Sequence, residues 1–109
     1  MTIIATAEAH IHAHADLLTR NGYNVARLIT ALRAAVATEP YNPEIVALGT
    51  IGHKITAKGL RMAGVRRVNY RTDIITSGGD DSADGDRLMT LGTNLASYIA
   101  YGAEPLDIR

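Results

Sequence analysis

Neither phenylalanine nor tryptophan occurs in this chain, so any core it builds must come from Ala, Ile, Leu and Val. That restriction shapes everything else. Small aliphatic side chains let helices approach closely, but they make a thin core. With 109 residues there is room for one compact domain over 1–109 and little surplus apolar volume. Apolar residues still make up 47% of the chain, which argues against disorder. A thin core favours added burial against a partner or a second copy, so a homo-oligomer is one expectation.

The chain has no cysteine, which excludes disulfides, thiolate metal sites and a cysteine nucleophile. The N-terminal residues lack the basic and continuously apolar pattern of a secretory signal. The longest uncharged stretch, Leu88 to Ala103, is interrupted by Thr90, Gly92, Thr93, Asn94 and Ser97, too polar for a bilayer span. A cytoplasmic protein is the expectation.

Periodicity predicts a mainly α fold of four to five short helices with one or two short strands. Ile3-Ile4-Ala5 reads as a short strand or a helix lead-in, and Thr6 as the cap of a first helix over Ala7 to Arg20. Asn21-Gly22 closes it. Asn24 caps a second helix ending near Ala37, before Pro40, with Val25, Leu28, Ile29, Leu32 and Val36 on one stripe. These two are expected to pack as an antiparallel hairpin. Asn42-Pro43-Glu44 opens a short helix over Ile45 to Leu48, stopped at Gly49. After Thr50-Ile51-Gly52 a further helix runs from His53 to Ala63. From Val65 to Ile75 the period changes to alternation, which predicts a strand. The last helix spans Asp86 to Tyr101, with Leu88, Leu91, Leu95 and Tyr98 buried. Gly102 closes it, and a loose tail follows from Ala103.

Net charge is formally zero, but its distribution is uneven. Residues 45–72 carry six basic side chains and no acidic one, whereas residues 73–109 carry two basic and seven acidic ones. On a helix from His53, Lys54, Lys58 and Arg61 fall at i, i+4 and i+7 and share a stripe. Ile51, Ile55, Gly59 and Met62 face the other way. Arg66, Arg67 and Arg71 extend the positive field, with Tyr70 between them. Cations gathered on one surface neutralise phosphates and release counterions, the main source of non-specific nucleic-acid affinity.

The order short helix, tight turn, basic helix, basic strand resembles a helix-turn-helix passing into the wing of a winged-helix domain. The resemblance covers about 30 residues of generic type and departs in the short first helix, in Gly59 mid-helix and in the lack of a second wing strand. It implies DNA binding, with Lys54, Lys58 and Arg61 toward the major groove and Arg66, Arg67 and Arg71 toward phosphates. The leading expectation is therefore a small non-enzymatic nucleic-acid-binding protein using residues 53–71, with a regulatory role as one option. The alternative is a protein–protein interaction module, such as an inhibitor, adaptor or assembly component, whose basic face meets an acidic partner.

Other constellations carry less. His10 and His14 stand at the spacing of helical metal-ligand pairs, but zinc needs three or four ligands and nothing recruits the rest. Asp80, Ser82, Asp84 and Gly85 echo the first half of a calcium loop, yet its twelfth position is Leu91. A polar turn capping the last helix is the better reading. No serine sits in a nucleophile elbow, and Gly78-Gly79 lacks the lysine of a phosphate loop. No catalytic residue, metal or cofactor is assigned.

Overall fold

The computed structural model describes residues 2–63, 65–67, 75–76 and 82–108. The fold is mainly helical. Five α-helices carry it: α1 (Ile3–Ala13), α2 (Ala15–Arg20), α3 (Val25–Thr38), α4 (Pro43–Met62) and α5 (Ser82–Thr93). A π-helical turn over Asn94–Tyr98 and a 3-10 turn over Ile99–Tyr101 continue α5. The expected strands are not borne out as part of the architecture. Among the described residues, extended backbone pairing is limited to Val65–Arg67 (β1) against Ile75–Thr76 (β2), too short to build a layer. Most of the alternating segment, residues 68–74, lies outside the described residues.

Local chemistry explains where the helices begin. Thr2, not Thr6, caps α1: its hydroxyl accepts from the Ala5 amide at 3.0 Å, while Thr6 Oγ1 donates to the Thr2 carbonyl. The helix starts earlier than the sequence pattern implies because Ile3 and Ile4 pack against the core. It is also interrupted at His14, which caps α1 and opens α2. Asn24 caps α3 as expected, accepting from the Arg27 amide at 3.0 Å. That helix buries Ile29 and Leu32, and its final turn stops before Pro40.

The fourth helix overturns the expectation of two helices joined by a turn. Pro43 to Met62 is one helix of 20 residues running through Gly49 and Gly52. A glycine ends a helix when it takes the left-handed conformation. Among the described glycines only Gly22 and Gly102 have positive φ. Gly52 instead serves packing. A Cβ there would lie 2.5 Å from the Gly92 carbonyl oxygen and 2.8 Å from the Ala96 Cβ. A Cβ on Gly59 would lie 2.6 Å from the Gly85 carbonyl oxygen. These contacts run antiparallel: Gly52, Thr56, Gly59 and Ala63 of α4 face Ala96, Gly92, Met89 and Gly85 of the α5 arm. Among the described elements this seam is the most extensive helix contact, and α3 also packs on α1 and α2.

All five helices supply the core. Ile11, Leu18, Leu32, Leu48, Ile55, Leu88, Leu91, Leu95 and Ile99 are its largest fully buried apolar side chains. No described helix is long and apolar enough to cross a membrane.

Candidate nucleic-acid interface

The core residues of α4 fix which of its faces meets solvent. Ile51, Gly52, Ile55 and Gly59 are buried, so the stripe carrying Lys54, Lys58 and Arg61 turns outward. Lys54 and Arg61 are exposed. Lys58 is half-buried and has structural work: its Nζ donates to the Asn21 carbonyl and sits 4.8 Å from the centre of the Tyr23 ring. It thereby holds the turn between α2 and α3 onto α4. Burial raises the Tyr23 phenol above its ordinary value, and the nearby Arg61 charge pulls the other way. Lys58, Tyr23 and Arg61 thus form one neighbourhood.

Arg66 and Arg67 lie on β1, directly after α4 in the chain. Tyr70 and Arg71 lie outside the described residues. The helix-turn-helix resemblance does not survive, because the segment expected to turn at 50–52 is helical and there is no second helix to set at an angle. What remains is one continuous helix with cations along its outer face.

Of the acids near that face in sequence, Asp84 is engaged elsewhere. Asp84, in the first turn of α5, accepts from Arg20 Nε at 2.8 Å and Nη2 at 2.7 Å. It also accepts from Asn21 Nδ2 and Arg87 Nη1, each at 2.9 Å. The Arg20 hydrogen bonds, then that from Asn21, hold its carboxyl far below the usual carboxylate range. Glu8 pairs with Arg33, which lowers its pKa and raises that of the guanidinium. Asp86 is exposed, and Asp80 and Asp81 lie outside the described residues. Among the described residues no carboxylate forms an ion pair with Lys54, Lys58 or Arg61.

The calcium-loop reading is excluded by the backbone, since Ser82, Asp84 and Gly85 belong to α5 and Gly85 is packed against Ala63. His10 and His14 do share a face, with ring centres 4.8 Å apart. Among the described residues no three His, Asp or Glu side chains come together as a metal site. An open groove of about 220 Å³ is lined by His14, Asp16, Arg20, Arg87 and Ile108. It gathers titratable groups but contains no serine or lysine, and both its arginines are tied to Asp84.

One cluster escaped sequence reasoning. Asn94 is fully buried, donating from Nδ2 to the Leu106 carbonyl at 2.9 Å and accepting on Oδ1 from the Leu106 amide at 2.7 Å. Its Nδ2 also faces His10 Nε2 at 3.1 Å. The tail expected to be loose is therefore tied down, and Ile108 packs on the core. The available signal was a lone amide beside Leu91 and Leu95 on an otherwise apolar helical face.

No protein-family profile, curated protein or solved structure matches the chain.

Proposed function

We propose that this protein binds nucleic acid through the outer face of α4 and the basic segment that follows it, to residue 71. The observation that carries the reading is the commitment of the paired carboxylates. Asp84 and Glu8 serve Arg20, Arg87 and Arg33, and Lys54 and Arg61 are exposed with no carboxylate partner among the described residues. No acid lies between residues 45 and 72, so the charge of this stretch is positive although the whole chain is neutral. Contacts of this kind go to phosphates and carry little sequence preference. Lys58 contributes charge but stays anchored to the α2–α3 turn, so Lys54 and Arg61 are the helix residues that reach the ligand, with Arg66, Arg67 and Arg71 beyond them.

Fluorescence anisotropy with labelled duplex and single-stranded oligonucleotides at low salt tests this. Binding is expected to weaken several-fold in Lys54→Ala and in Arg61→Ala and to be retained in Arg33→Ala, whose cation is already paired. No binding to either oligonucleotide, or equal loss in all three variants, overturns the reading. Displacement by polyglutamate at the same charge concentration as the oligonucleotide favours an acidic protein partner instead.

A further inference from the structure

The orientation of the Asn94 carboxamide dictates the protonation state of an imidazole 84 residues away in the sequence. Gly102, in the left-handed conformation at φ +78, turns the chain out of its last helical turn, and residues 103–108 then run without helix or strand. Residues 103–107 are exposed. The segment is seated by Ile108 against the core and by the paired hydrogen bonds between Asn94 and the Leu106 backbone. Those two bonds assign the amide: the Leu106 N–H requires Oδ1, and the Leu106 carbonyl requires Nδ2. The atom presented to His10 is therefore Nδ2, a donor. His10 Nε2 must accept, so the ring is neutral and carries its proton on Nδ1.

A second proton on His10 sets two donors face to face. Flipping the amide relieves that contact, but it opposes Nδ2 to the Leu106 N–H and Oδ1 to the Leu106 carbonyl. Either arrangement costs the seat of the tail. We propose that residues 103–108 form an acid-released strap, held at Asn94 only while His10 is neutral. Ile108 and Arg87 line both of two neighbouring grooves, one with His14, Asp16 and Arg20 and one with Asp86, Thr90 and Asp107, so release removes one of their shared walls.

The surroundings of His10 fit this role. His14 at the end of α1 is its titratable neighbour, the π-helical turn presents the neutral Asn94 amide to it, and the strap acids Glu104 and Asp107 are exposed. Burial, then the His14 charge, pushes the His10 pKa down from 6.5 to about 4. The sign follows. Releasing the strap relieves the burial and raises the His10 pKa toward its ordinary value of 6.5, so acid favours release progressively as pH falls through the window above about 4.

NMR on the full chain tests the strap. Nitrogen shifts at neutral pH should give the Nδ1–H tautomer of His10. Between neutral pH and the His10 midpoint, protection of the Leu106 amide from exchange should fall at least about tenfold, with Leu48 and Leu95 amides still protected. In His10→Gln, whose amide oxygen can accept without titrating, Leu106 protection should stay flat over that interval. An Nε2–H tautomer, unchanged Leu106 protection in the parent, or simultaneous loss at Leu48 and Leu95 overturns the proposal. If His10→Gln does not fold, the tautomer and the parent's Leu106-to-core comparison decide alone.

Discussion

At the scale of single residues, the described molecule leaves no buried side-chain polar atom without a partner, and Asn94 shows how that is achieved. Its carboxamide makes three hydrogen bonds within a fully buried site, so removing it strands the Leu106 backbone groups. Asn94→Ala should lower unfolding free energy by about 1–3 kcal/mol, measured by urea denaturation. Asn94→Asp should also destabilise at neutral pH, because an unprotonated carboxylate cannot donate to the Leu106 carbonyl. Lys58 teaches a related lesson. Its place on the cationic stripe was legible from spacing, but its bond to the Asn21 carbonyl spans 37 residues and depends on how the α2–α3 turn docks. Lys58→Met, which keeps the aliphatic stem, should cost about 1 kcal/mol in the same assay and slacken the α2–α3 turn.

At the scale of elements, the seam between α4 and the α5 arm decides the fold. Gly52→Ala and Gly59→Ala would place a methyl against opposing backbone, and the seam has no flexible side-chain end to yield. Each should destabilise by about 1–3 kcal/mol or more. Gly49→Ala meets nothing within 4 Å in the same helix, so its higher helix propensity should stabilise by about 0.5–1 kcal/mol. Denaturation midpoints of the three variants check the contrast, and a common sign would refute the seam. The contrast also explains what could be read in advance. The α3 cap, stripe and stop follow from Asn24, Leu28, Leu32 and Pro40, all local signals. Gly49 and Gly52 look like helix breakers by local propensity, yet close approach to Gly92 makes a backbone without a side chain favourable at Gly52. The absence of Phe and Trp already implied closely spaced helices. It did not say which pair.

At the scale of the whole molecule, the arrangement of charge matters more than its zero sum. The acid-free stretch at 45–72 was legible as composition. That its helical part turns outward, while Asp84 is spent on Arg20, Asn21 and Arg87, required the fold. The central claim is that Lys54 and Arg61 meet phosphate rather than an acid of their own chain. The slope of log affinity against log salt for a duplex oligonucleotide tests it most directly. Raising salt from about 50 to 200 mM should weaken binding by up to about five-hundredfold if Lys54, Arg61, Arg66, Arg67 and Arg71 all take part. The double variant Lys54→Ala, Arg61→Ala should flatten the slope by about two. A slope near zero in the parent protein, or an unchanged slope in the double variant, would contradict the account.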